Sequence, residues 1–202
     1  MSLSAILRVF GVAAVLFALI VGGVVLFVER DQDGASGATG AALIGGPFTL
    51  VDQNGKTRTD AEFRGKYMLV YFGYTYCPDF CPTELNTITD AMGLLGAAAA
   101  KVQPIFITID PARDTVQQMK LYAQSFDPRL IALTGTPEQI AVVAKGYRVY
   151  YAKAPGAESK GGDYLMDHST FIYLMGPDGA YLTHFRYGMS AKDMAAAIRK
   201  YL

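Results

Sequence analysis

Residues 67–85, YMLVYFGYTYCPDFCPTEL, decide the fold. The first eight are a continuous apolar and aromatic run, bounded by Gly65 on one side and by the Cys77-Pro78 pair on the other. A half-exposed strand would alternate polar with apolar residues, so an unbroken short run of this kind marks a central strand buried on both faces. Pro82 then suits the first turn of a helix, and Leu85, Ile88, Met92 and Leu95 follow at helical spacing. The nucleus is a buried strand that passes, through a loop carrying both cysteines, into a helix over 82–95.

The flanking sequence extends this unit in both directions. Upstream, PFTLVD, the turn QNGK and TRT predict a short hairpin, because Asn54-Gly55 supplies the positive φ angles of a tight turn. Downstream, QPIFITID (103–110) reads as a second buried strand. Asp114-Thr115 precede a helix of about eleven residues with Val116, Met119 and Tyr122 on one face. LIAL (130–133) is a short strand and 137–145 a helix. STFIYL (169–174) and AYLTHF (180–185) form a hairpin around Gly-Pro-Asp-Gly, and AKDMAAAIRKYL closes the chain as a helix. The order β-α-β-α-β-α, then hairpin and helix, predicts an α/β sandwich with a mixed sheet, the order of thioredoxin-like folds.

The chain has 202 residues, with 18 Lys+Arg against 18 Asp+Glu and 51% hydrophobic residues. Mean hydropathy of +0.22 is high for a chain that never meets lipid. Balanced charge without a basic run excludes nucleic acid as a partner, since phosphate binding needs a concentrated positive face. Two Cys and two His exclude a Cys-rich structural zinc domain. The lipid-facing part is residues 9–28, VFGVAAVLFALIVGGVVLFV, which carry no charge and as a helix would cover roughly 30 Å, a bilayer core. The rival is a cleaved signal peptide, whose apolar region usually runs only about 7 to 15 residues. Residues 1–30 are therefore read as an N-terminal transmembrane anchor, 31–46 (DQDGASGATGAALIGG) as a flexible linker, and 47–202 as the folded domain. Arg8 and Arg30 nearly cancel as topology signals, and the free amino terminus tips the span toward N-in. No Arg-rich mitochondrial presequence is visible. The expected location is a bacterial inner membrane, crossed once, with the domain in the periplasm, where thiols can be oxidised.

Chemistry concentrates at Cys77 and Cys81. Both are expected at a helix N-terminus, where the macrodipole and unpaired N–H groups favour the thiolate. Two thiolates suit a soft ion, Cu(I) above all. A disulfide staple and a pair of inert core thiols compete with that reading, although Pro78, Asp79 and Pro82 mark an exposed loop rather than a core segment. His168, in YLMDHSTFIYL, lies just before a strand, at the edge where a parallel sheet places its loops beside the helix N-terminus. A lone histidine is more often structural than a ligand. With two thiolates, however, it completes a trigonal set for Cu(I), adaptable to Cu(II) with an added ligand. His184 reads as a surface or strand-packing residue.

Three blocks, YFGYTYCPDFCP (71–82), IDPARDT (109–115) and DHSTFIYLMGPDG (167–179), resemble the Sco/SenC family of membrane-anchored copper chaperones. The resemblance covers roughly residues 45–202, and the N-terminal span matches the family's architecture. It implies a thioredoxin-like fold, with copper, as Cu(I) or Cu(II), bound by Cys77, Cys81 and His168. It also implies delivery to the binuclear copper site of cytochrome c oxidase subunit II, with Cys77 and Cys81 as a redox-active pair able to reduce that site's cysteines. Other copper chaperones or thioredoxin-like reductants are the further partners expected.

Neighbouring residues carry weaker signals. Asp79 could orient a partner or offer an oxygen to Cu(II), and Asp167 could hold the imidazole. Both also read as solvated loop residues. Helix capping and a local ion pair account for Asp110, Arg113 and Asp114. Tyr76, Phe80 and Met166 are expected as an apolar collar where a partner docks, or as ordinary packing, and Met166 as a soft substitute ligand. The function expected is metal carriage, with no catalytic residue. The alternative is a thiol–disulfide oxidoreductase without copper transfer. Enzymes of that type use a two-residue gap and a facing cis-Pro loop, whereas here the gap is three residues and no Pro occurs between 156 and 176. A thiol peroxidase ranks last, because no Arg is evident beside the thiolate.

Overall fold

The computed structural model describes residues 43–154 and 164–202. The expected anchor, and the linker up to residue 42, lie outside them. Among the described residues no helix is long and apolar enough to cross a membrane. Ile44 and Gly45 lie against the domain: the Gly45 N–H donates to the Gly146 carbonyl at 2.9 Å, and Ile44 packs on the core.

The chain opens with a hairpin, β1 (Thr49–Asp52) and β2 (Thr57–Thr59). At its turn Gly55 takes φ +80°, and the Asp52 carboxylate accepts from the amides of Asn54 and Lys56. Then follow β3 (Tyr67–Gly73), α1 (Phe80–Leu95), β4 (Val102–Thr108), α2 (Val116–Ala123), β5 (Ile131–Thr134) and α3 (Pro137–Gly146). The rest is β6 (Tyr151–Lys153), β7 (Met166–His168), β8 (Ile172–Met175), β9 (Tyr181–Phe185) and α4 (Ala191–Arg199). Seven strands form one sheet in the order β2-β1-β5-β4-β3-β8-β9, parallel across β5-β4-β3 and antiparallel elsewhere. This is the mixed α/β, thioredoxin-like arrangement.

β3 lies between β4 and β8, with Val70 opposite both Ile105 and Tyr173, and residues 68–73 are all buried. Neighbours on both edges and cover on both faces are what the unbroken apolar run requires. α1 packs against α4, and α2 against β5. Boundaries depart from the sequence reading in small ways. α1 begins at Phe80, two residues before Pro82, whose missing N–H costs nothing in a first turn. α2 has eight residues rather than eleven, β5 sits one residue later, and β8 begins only at Ile172. One element was not expected. β6 and β7 pair antiparallel as a separate two-stranded ribbon, with Tyr151 opposite His168.

Candidate metal centre

The loop between β3 and α1 is bracketed from below by Asp114. Its carboxylate accepts from the Thr75 amide (3.0 Å), the Thr75 hydroxyl (2.6 Å) and the Thr108 hydroxyl (2.5 Å). The expectation that Asp114 caps α2 is corrected: Thr115 is the N-cap, accepting from the Gln118 amide. Asp114 is buried, and burial raises its pKa against the pull of the Thr108 and Thr75 hydrogen bonds.

Beyond Thr75 the chain places Cys77 ahead of α1 and Cys81 in its first turn. Asp79 is the N-cap of that helix, yet its side chain makes no capping hydrogen bond. The Cys77 sulfur substitutes for it, accepting from the Cys81 amide at 3.3 Å, an N–H that a cap side chain ordinarily takes. Cys77 is accordingly pulled down to about 4, chiefly by the hydrogen bond from the Cys81 thiol. Burial opposes the shift, and His168 and the amides of Cys81 and Asp79 assist it. Cys81 is pushed up, first by its hydrogen bond to the anionic Cys77 and then by burial. The pair therefore holds one negative charge and one proton.

The loop is exposed at Tyr76, Pro78, Asp79 and Phe80, as its prolines led one to expect, but the two thiols it carries are buried. Cys77 is 7% and Cys81 0% exposed. Because α1 starts at Phe80, Cys81 falls on the same helical face as Leu85, Ile88 and Met92 and points inward. Gly73 makes room for it, since a Cβ there would stand 2.7 Å from the Cys81 sulfur.

His168 ends β7 and reaches the cysteines from the ribbon. Its Nδ1 lies 2.9 Å from the Ser169 carbonyl, which only accepts, so Nδ1 carries the proton. The other ring nitrogen, Nε2, faces the cysteines, 3.5 Å from the Cys81 sulfur. Tyr74 and Tyr71 meet the imidazole edge-on at 6.0 and 6.4 Å. The donor atoms of Cys77, Cys81 and His168 all lie within 4.8 Å of one another, and among the described residues no carboxylate shares the cluster.

The remaining sequence candidates separate. Asp79 is exposed and offers the site only its amide, to Cys77. Asp167 does not hold the imidazole. Successive residues of a strand point to opposite faces, so Asp167 is exposed while His168 faces inward, and Ser169 supplies the oxygen instead. Met166 is half-buried, with its amide donating to the Tyr74 hydroxyl at 3.1 Å. Tyr76 and Phe80 are exposed beside the site, and the reading missed Tyr187, which packs edge-on to Phe80 at 5.1 Å. His184 is exposed and hydrogen-bonds Tyr181. Arg113 pairs with Asp110 at 2.5 Å and stacks on tyrosine rings rather than facing a sulfur. Glu84 was also missed. It is fully buried, one oxygen accepting from the Gly188 amide at 3.1 Å and the other without a partner, and burial raises its pKa. Its position inside the stripe formed by Cys81, Leu85 and Ile88 was the available signal.

Two sulfurs and one imidazole nitrogen form a soft donor set, suited to Cu(I) among the first-row ions and capable of dithiol–disulfide exchange. A thioredoxin-like domain presenting this set at a helix N-terminus defines a class of soft-metal-binding, redox-capable proteins. The family profile of SCO1/SenC matches residues 36–202, and the chain belongs to that family. It is 43% identical over 175 residues to the mitochondrial SCO2 homolog of Bos taurus, covering 86% of this chain and 65% of that protein, just under two thirds of its length. Among solved structures, it is similar to copper-bound ScoI of Bradyrhizobium japonicum, with 49% identity and TM-score 0.72, covering 79% of this chain and 99% of that one. Copper-bound ScoI of Arabidopsis thaliana gives 42% identity and TM-score 0.73, covering 78% and 97%.

Proposed function

We propose that this chain is a membrane-anchored copper metallochaperone whose cargo is held by Cys77, Cys81 and His168. The observation that carries the reading is the convergence of those three donors within 4.8 Å, with His168 Nε2 3.5 Å from the Cys81 sulfur. The copper bound in the Bradyrhizobium and Arabidopsis structures supports it. In this reading residues 1–30 cross a bacterial inner membrane once, 31–46 form the linker, and the domain works in the periplasm. Copper passes by ligand exchange to the binuclear site of cytochrome c oxidase subunit II, the recipient that membership of the family supports.

The anionic Cys77 meets the incoming ion first, and Cys81 gives up its proton as the second thiolate bond forms. The same pair has a redox use. Cys77 attacks a partner disulfide and Cys81 resolves the mixed disulfide; as Cys77–Cys81 closes, two electrons and the Cys81 proton pass to the partner, which leaves as one thiol and one thiolate. A disulfide offers no dithiolate, so copper leaves before that step. The low pKa of Cys77 is what favours the oxidoreductase as a second reading.

Anaerobic Cu(I) competition titration of the detergent-solubilised, reduced full chain tests the proposal. One copper per chain is expected, weakened at least about tenfold by His168→Ala and absent after Cys77–Cys81 oxidation. Equal affinity of parent and variant would leave the oxidoreductase as the better reading.

A further inference from the structure

His168 does not belong to the seven-stranded sheet. It sits on the β6–β7 ribbon, 87 residues along the chain from Cys81, and contacts outside the sheet must fix the ribbon to the cysteine-bearing body. Pairing of the ribbon continues one step past β7, where the Ala154 amide donates to the Leu165 carbonyl at 2.9 Å. Along this extended stretch Tyr164, Met166 and His168 are half-buried while Leu165 and Asp167 are exposed. The alternation puts Tyr164, Met166 and His168 on one inward face.

Tyr164 is where that face is fastened. Its hydroxyl donates to Asp110 Oδ1 at 2.7 Å, and Arg113 Nε donates to Asp110 Oδ2 at 2.5 Å. The Arg113 guanidinium lies 3.5 Å from the centre of the Tyr164 ring, and Lys153 Nζ lies 4.3 Å from it. Asp110 is buried, and Arg113 also lies against the rings of Tyr76 and Tyr74. Residues 110–114 therefore grip two things at once. Asp110 and Arg113 hold the ribbon, and Asp114 holds the loop that delivers Cys77.

We infer that Asp110, Arg113 and Tyr164 form a latch that positions His168 against the cysteine pair. The inference rests on the three-donor reading of the site and adds to it the residues that bring the third donor into place. Tyr164 acts through His168 and touches no metal, so it is a positioning residue. Its hydrogen bond and its cation–π stack join one short ribbon to one short loop, and four residues of strand, roughly 13 Å, carry the placement to the imidazole.

The experiment uses the full chain and a double-mutant cycle of Tyr164→Leu with His168→Ala, read by anaerobic Cu(I) competition. Tyr164→Leu should weaken copper about tenfold when His168 is present and by less than twofold when it is absent. Tyr164→Phe, which keeps the ring stacked and loses only the hydroxyl bond, should fall between parent and Tyr164→Leu. An equal loss in both backgrounds would make Tyr164 merely structural and overturn the inference, as would no loss in either. Amide exchange in the metal-free protein tests the latch independently of copper. In Tyr164→Leu the Met166 amide should exchange at least tenfold faster while β3 amides keep the parent rate, and unchanged Met166 exchange would refute the latch. Should His168→Ala alone leave affinity untouched, the three-donor reading fails, and the exchange experiment still decides the latch.

Discussion

Gly73→Ala is a small change aimed at the floor of the metal centre. Gly73 has no positive φ, so the issue is space and not backbone conformation. A Cβ at this position would stand 2.7 Å from the Cys81 sulfur and 3.0 Å from Phe106 Cε2, against the 3.4 Å where ordinary contact begins. The sulfur would have to yield about 0.7 Å and the ring about 0.4 Å, and both residues are fully buried. Overpacking of a closed core costs about 1 to 3 kcal/mol. A ligand atom displaced by that much exceeds the ~0.2 Å that coordination distances tolerate, so Cu(I) affinity should also fall, by roughly 10- to 100-fold. The assay pairs urea denaturation of the metal-free protein with anaerobic Cu(I) competition. Gly93→Ala is the control. That glycine lies exposed in α1 with nothing within 4 Å of a built Cβ, so the change should add about 0.5 to 1 kcal/mol of stability and leave copper alone. If Gly73→Ala matches the parent in both measurements, the close approach of Gly73 to Cys81 has been misjudged.

Two further outcomes follow from the titrating groups. Iodoacetamide modification of Cys77 in the reduced, metal-free protein, mapped by peptide mass spectrometry, should be nearly flat with pH from about 5 to 8 and drop only near 4. A rate climbing through pH ~8.5, as for an ordinary thiol, would contradict the hydrogen bond by which the Cys81 thiol holds Cys77 anionic. Glu84 has its pKa raised by burial, so its contribution to stability is fully present below the unfolded carboxylate range and is lost as pH rises through the folded value. Glu84→Gln removes that loss. The stability difference should shift in favour of Gln as pH rises above the unfolded carboxylate range of about 4.3 in urea denaturation, and a shift toward Glu would sink the assignment.

What the sequence disclosed and what it withheld divide along the range of the interactions. The buried strand 67–73 was legible because one face pattern, an unbroken apolar run, reports burial on both sides. The three donors were legible because each is a rare residue type in a marked context. The ribbon was not, since three-residue strands such as 151–153 and 166–168 carry no periodicity of their own and pair across an interval in sequence. That omission misdirected the choice of imidazole partner. Asp167 is the obvious neighbour in sequence, but strand alternation turns it outward. Cys81 was misjudged as loop-exposed because the prolines were weighed and the two-residue-earlier helix start, which rotates the thiol into the core, left no mark in composition. Arg113 read as half of a local ion pair, which it is, but its stacking was illegible because the rings of Tyr74, Tyr76 and Tyr164 come from two segments distant in sequence.

The span of the ribbon has a thermodynamic consequence. An ion shared by Cys81 and His168 ties together points 87 residues apart, and so behaves as a removable staple across more than a third of the chain. A cross-link of that reach penalises the unfolded ensemble heavily, and any ligand specific to the native state shifts the unfolding equilibrium by mass action. Carrier and cargo thus insure each other. With an ion held there, the molecule would resist unfolding and proteolysis better than its metal-free form.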